Sequence, residues 1–67
     1  MRIDKLKLAY AMLKAGIDSS KKLAEVAQVS VNTISRILNG GSAKVPTVRK
    51  IAAALNVDPM ELIEREA

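Results

Sequence analysis

The chain has 67 residues, with eleven Lys and Arg against seven Asp and Glu and a net charge of +4, a length that fits one domain, residues 1–67, and no more. It contains neither Cys nor His, which excludes disulfide staples and a His/Cys metal centre and leaves stability to close helix packing, with or without dimerisation. Tyr10 is the sole aromatic residue, which argues against the stacking platforms that hold single strands and RNA.

Helix formers dominate and no segment alternates cleanly, so the chain reads as all-α. The first helix is expected from about Ile3 to Ala15, ended by Gly16. Ile3, Leu6, Tyr10, Leu13 and Ile17 recur at spacings of three and four and read as its inward stripe, with Leu8 and Met12 a lesser one and Lys5, Lys7 and Lys14 in solvent. The second helix starts at Ser19 or Ser20, either of which caps it, and extends to Ala27 or Gln28 with Leu23, Ala24 and Ala27 inward. Gln28, Val29 and Ser30 form a tight turn, and Ser30 caps a third helix from Val31 to about Leu38. In that helix Ile34, Ile37 and Leu38 face the core, while Val31, Asn32, Ser35 and Arg36 lie on the other side. Asn39, Gly40 and Gly41 end it.

After a loop from Ser42 to Pro46, Thr47 is expected to cap a fourth helix from Val48 to about Leu55, with Val48, Ile51, Ala52 and Leu55 inward and Asn56 as a left-handed cap. Asp58-Pro59-Met60-Glu61 signals a fifth helix: a capping Asp, Pro at the first helical position and Glu three residues after the cap. Leu62 and Ile63 anchor it.

Counted from Ser20 as first position of a helix-turn-helix unit, Ala24 is fifth, Val29 tenth, Ile34 fifteenth and Ile37 eighteenth. Two short helices that cross steeply need one small residue at the contact and a small shared aliphatic core, and these positions supply both. The stretch LAEVAQVSVNTISRILNG, followed by VPTVRKIAAALNVDPMELI, resembles the Cro/C1-type helix-turn-helix family of phage repressors and bacterial regulators. The resemblance covers nearly the whole chain, from the first helix to the fifth, and it is specific because two separated blocks agree in order and spacing. It implies a five-helix, lambda-repressor-like DNA-binding domain with its helix-turn-helix at about residues 20–39. Two positions depart from the family pattern. Gln28 stands where Gly is usual, and a positive φ there costs about 1 kcal/mol relative to Gly. Ser20 stands where a longer Gln often supports the DNA contact, which points Ser20 toward phosphate.

The resemblance implies that the third helix enters the major groove of double-stranded DNA. Val31, Asn32 and Arg36 match the family's base-reading positions, with Ser35 beside them. Asn pairs bidentately with adenine and Arg with guanine, Val meets a thymine methyl, and Ser reads through water. Val31 as a mere core cover, and Asn32 and Arg36 as plain solvated surface, are the competing readings. Phosphate contacts are expected from Ser20, Lys21, Thr33, Asn39, Ser42, Lys44, Thr47, Arg49 and Lys50, with Thr33 reading equally as a partly buried spacer. Arg49 and Lys50, read as first-turn residues, oppose the helix macrodipole and so favour a bound phosphate at that helix start.

Residues 1–50 carry ten of the cations against Asp4, Asp18 and Glu25, about +7, and residues 51–67 carry Arg65 against Asp58, Glu61, Glu64 and Glu66, −3. A basic body with an acidic end suits a polyanion held on one side. No nucleophile and base constellation is present, and Gly40-Gly41 follows a helix rather than opening one, so neither an enzyme nor a cofactor is expected. Glu61, Glu64 and Glu66 read as the exposed surface of a terminal helix. The start Met-Arg-Ile-Asp-Lys lacks the apolar run of a secretory signal and no stretch approaches the roughly 20 apolar residues of a membrane span. A cytoplasmic protein is therefore expected, bacterial or phage-encoded and nucleoid-associated by the resemblance, with no evident small-molecule effector site. Met60 and Ile63 are left over from the core and mark the expected homodimer surface of a repressor on an inverted repeat. A protein-interaction module of the same fold, antitoxin- or anti-repressor-like, is the alternative.

Overall fold

Asp4 starts the first helix: its carboxylate accepts from the backbone N–H groups of Leu6 and Lys7 at 2.9 and 3.1 Å. In the computed structural model, which describes residues 1–64, this cap opens α1 at Lys5–Ala15. It is followed by α2 at Ser20–Ala27, α3 at Val31–Leu38 and α4 at Val45–Leu55. A 3₁₀ turn, Pro59–Glu61, precedes the last described residues.

α4 is the hub. It packs against α2, α1 and the 3₁₀ turn, while α2 also carries α3. Val48, Ile51, Ala52 and Leu55 of α4 are buried, as their spacing requires, together with Leu23, Ala24 and Ala27 of α2 and Ile34 and Ile37 of α3. Small residues at the crossings, Ala24 and Ala52, let short helices approach closely. No polar or charged side chain among the described residues is buried, so every group capable of chemistry sits on the surface.

The expected inward stripe of α1 is overturned. Leu6, Tyr10 and Leu13 are 82%, 64% and 77% exposed, whereas Leu8 and Ala11 are buried and Met12 packs beside them. The reason lies in counting helical spacing beyond the helix. Ile3 is in extended chain ahead of the Asp4 cap, and Ile17 follows Gly16, whose φ is +73°. Both are buried, yet neither shares a helical register with Leu6, Tyr10 and Leu13. Inside Lys5–Ala15 the core face is Leu8, Ala11 and Met12, spaced i, i+3, i+4.

Two further expectations give way. The fifth helix is only the 3₁₀ turn: the capping box forms as anticipated, with Asp58 accepting from Met60 N–H at 2.8 Å and Glu61 accepting from Asp58 N–H at 2.9 Å, but the chain then turns extended. Leu62 is fully buried and Ile63 pairs antiparallel with Ile3. The backbone, needed for that pairing, cannot also continue a helix. Glu64 therefore lies in extended chain, not on a helix, and Glu66 falls outside the described residues. The fourth helix begins three residues earlier than expected, with Pro46 in its first turn and Thr47 inside it; Lys44 is the capping position and offers no side-chain cap.

Residues 1–4 form a clasp that sequence patterning does not reveal. Met1 and Ala43 exchange backbone hydrogen bonds of 3.0 and 2.6 Å. On the other edge, Asp4 N–H donates to Leu62 at 2.7 Å and Glu64 N–H to Arg2 at 3.0 Å. The Arg2 guanidinium adds a bond to the Gly40 carbonyl at 2.9 Å. The two ends of the domain and the α3–α4 loop are thereby tied together over buried Ile3, Ala43 and Leu62.

The two stripes of α1 separate cleanly in urea denaturation. Leu8→Ala is expected to cost about 2–5 kcal/mol and Ile3→Ala a similar amount, while Leu13→Ala stays within about 0.5 kcal/mol of the parent. Equal losses at Leu8 and Leu13 would contradict the packing described.

Candidate nucleic-acid interface

The helix-turn-helix begins at Ser19. Its hydroxyl accepts from Lys22 N–H at 3.1 Å, so Ser19 rather than Ser20 is the cap, and Ser20 is the first, half-buried residue of α2. At the other end of α2 the chain reverses at Gln28, which takes the left-handed conformation at φ 59°, ψ 44°. The conditional strain at this departure from Gly is thus present. The reversal satisfies two α2 carbonyls, from Gln28 N–H to Glu25 and Val29 N–H to Ala24, and drops Val29 against the core between the two helices.

Ser30 then caps α3, accepting from Thr33 N–H at 3.1 Å and sharing a 2.8 Å hydroxyl contact with Thr33 Oγ1. Thr33 is half-buried and its hydroxyl is already engaged, which favours the spacer role over a dedicated phosphate contact. With Ile34 and Ile37 inward, Val31, Asn32, Ser35 and Arg36 form the exposed face. Val31 is 45% exposed, so it is not a core cover. The side-chain hydrogen bonds among the described residues involve none of Asn32, Ser35 or Arg36. The face is polar, exposed and uncommitted.

The end of α3 is fixed by its glycines. Gly40 N–H donates to Ile37 at 3.1 Å and Gly41 N–H to Arg36 at 2.8 Å. A Cβ on Gly41 would stand 2.8 Å from both the Arg36 carbonyl oxygen and the Arg36 Cγ, so only Gly lets the chain pass there without displacing the Arg36 stem. Beyond it a groove opens between α3 and the start of α4. Thr33 and Arg36 line one wall, Ser42 and Lys44 the loop, and Val45, Pro46 and Thr47 the far side. Four expected phosphate-contacting residues, Thr33, Ser42, Lys44 and Thr47, thus converge beside Arg36. Asn39 is exposed at the α3 end, and Lys21 is exposed at the start of α2.

Arg49 and Lys50 stand elsewhere. Because α4 starts at Val45, they fall in its second turn, beyond the first-turn N–H groups where the macrodipole would draw a phosphate to them. Both are exposed, and Lys50 borders a depression with Val26, Ala27 and Gln28 beside the turn rather than the groove. The cation at the α4 start is Lys44. Met60 is 71% exposed on the 3₁₀ turn, whereas Ile63 is half-buried, with its backbone carbonyl accepting from the Lys7 amino group at 3.1 Å.

A helix-turn-helix family profile matches residues 8–62. The chain belongs to the Cro/C1-type helix-turn-helix family and is a DNA-binding domain of the regulator type. No curated protein matches it. Among solved structures it is similar to PhpD, seen with cadmium and hydroethylphosphonate and in a native form with cadmium atoms, at 28% identity and a TM-score of 0.78 in both. The match covers 100% of this chain but 14% of those chains, so what PhpD binds elsewhere in its length is a property of that protein. No helix among the described residues is long and apolar enough to cross a membrane.

Two backbone substitutions test the frame of this site by thermal denaturation. Gln28→Gly is expected to stabilise by about 0.5–1 kcal/mol, since it relieves left-handed strain at some cost in unfolded-chain entropy. Gly41→Ala is expected to destabilise by about 1–3 kcal/mol through the clash with Arg36.

Proposed function

We propose that the chain is a sequence-specific transcriptional regulator, a repressor that binds an inverted-repeat operator as a dimer and places α3 in the major groove. The observation that carries this reading is the uncommitted face of α3. Its polar side chains point outward on a rod capped by Ser30 and stopped by Gly40, with a basic groove at one end.

In this reading Asn32 pairs with an adenine edge, Arg36 with a guanine or a flanking phosphate, Val31 meets a thymine methyl and Ser35 reads through water. Lys44, Ser42 and Thr47 hold one phosphate ridge at the α4 start, where Val45 and Thr47 present backbone N–H groups that no side chain caps. Ser20 and Lys21 hold the other ridge at the start of α2, and Asn39 contributes at the α3 end. Arg49 and Lys50 add long-range attraction. The dimer forms around the exposed Met60 with Ile63 behind it and sets two α3 helices about 34 Å apart. The protein is a cytoplasmic, non-enzymatic regulator without a cofactor.

Selection of bound sites from a random duplex pool tests the assignment. Asn32→Ala and Arg36→Ala are each expected to relax preference at one base position by about 1–3 kcal/mol, and Lys44→Ala to weaken all sites alike while lowering the salt slope by about one. Retention of the full preference by the Asn32→Ala/Arg36→Ala double variant would refute the assignment of α3. Sedimentation of the chain on a two-half-site duplex as a single copy would refute the dimer.

A further inference from the structure

We propose that the outer face of α1 docks an acidic amphipathic helix of a partner protein. Leu6, Tyr10 and Leu13 lie at i, i+4 and i+7 on the side of α1 opposite buried Leu8 and Ala11, and each is more than three-fifths exposed. Together with Ala9 they form a continuous apolar strip of a few hundred Å², a size that on a small domain marks an interaction site. Folding does not use this strip, since the core is complete beneath it.

The strip is two helical turns long and one row of side chains wide, the footprint of a helix laid along a helix. It falls well short of the roughly 800 Å² per partner that a standard interface between globular proteins buries. A second copy also fails on charge. Antiparallel pairing of two α1 helices about Ala9 and Tyr10 matches Leu6 with Leu13 but sets Lys7 of each copy beside Lys14 of the other on the shared flank. α1 carries three Lys and no acid.

Those cations define the occupant. Lys14 flanks the strip with its ammonium 5.6 Å from the centre of the Tyr10 ring. Lys7 lies on the same flank, bound to the Ile63 carbonyl, and Lys5 lies on the other. The acids nearby are Asp4, engaged as the helix cap, and Glu64, which borders a depression beside Leu6. A helix with its own apolar row and carboxylates on both edges pairs with Lys5 and Lys14 in the way that flanking charges select partners in helix pairs. No α1 residue lines the groove beside α3, so the strip lies outside that groove.

Fluorescence anisotropy with two labelled amphipathic peptides of about 18 residues, long enough to hold a helix, tests this on the intact chain. One peptide carries a Leu row edged with Glu and the other the same row edged with Lys. The Glu-edged peptide is expected to bind and the Lys-edged one to bind about tenfold more weakly or not at all. The Leu6→Gln/Leu13→Gln variant is expected to lose the Glu-edged peptide while its melting curve stays unchanged; its DNA affinity is a separate readout that bears only on the α3 assignment. Absence of binding, equal binding of both peptides, or binding untouched by the double variant would overturn the proposal. It would be overturned equally if the double substitution abolished self-association in sedimentation, or abolished binding to phosphatidylcholine vesicles containing phosphatidylserine, because the strip would then serve a second copy or a membrane.

Discussion

Helices of eight to eleven residues can enclose a core only if the chain reverses within two or three residues at each end, and in this domain every α-helix does so in the same way. α1, α2 and α4 end on left-handed Gly16, Gln28 and Asn56, with φ of 73°, 59° and 56°, and α3 passes through Asn39 at φ −90° to left-handed Gly40 at φ 92°. At each end the next two N–H groups fold back onto carbonyls of the last turn. Three of the four reversals are followed directly by an aliphatic residue, Ile17, Val29 or Val57, that packs on the core. Thus the same device satisfies the helix ends, redirects the chain and contributes apolar burial. The exception is Gly41, where the Arg36 stem occupies the space an aliphatic side chain would fill.

The reversal at Gln28 sets the angle at which α3 leaves α2. A left-handed Gln there is strained, and the strain is tolerated because Val29, Ala24 and Ile34 over-determine the crossing. The inward side of α3 is thereby held fixed, and its outward side is left free of intramolecular hydrogen bonds. With no polar side chain buried anywhere among the described residues, the groups open to a ligand are surface groups carried on the helices and their caps. That is the condition under which a few side chains on a helix can report on base edges.

Much of this was legible in the residues. The helix-turn-helix, its caps, the buried face of α4 and the capping box at Asp58 follow from short-range rules that the structure obeys. What was not legible depends on long-range backbone pairing. The clasp of residues 1–4 joins positions some 40 and 60 apart in the chain, and nothing in the local pattern of Met-Arg-Ile-Asp announces it. The same pairing converts the expected fifth helix into one 3₁₀ turn. The start of α4 was missed for a different reason: Thr47 is a good capping residue, but Pro46 is at ease in a first helical turn, and the helix extends back to take it.

The misreading of α1 points to something the fold does not require. Two apolar rows run along this helix on opposite sides, and the larger side chains sit on the row that faces water. A helix apolar all round is ordinarily a buried one, yet in this domain only Leu8, Ala11 and Met12 are covered. At about 25 cal/mol per Å², covering a few hundred Å² of Leu6, Tyr10 and Leu13 is worth several kcal/mol, comparable to the whole stability of a domain this size. Leaving that surface in water favours aggregation without strengthening the fold. Lys5, Lys7 and Lys14 oppose self-association by charge, and they keep the strip available to a partner of opposite sign. The domain therefore carries two exposed faces of different chemistry: a polar one on α3, and an apolar one on α1 edged with cations.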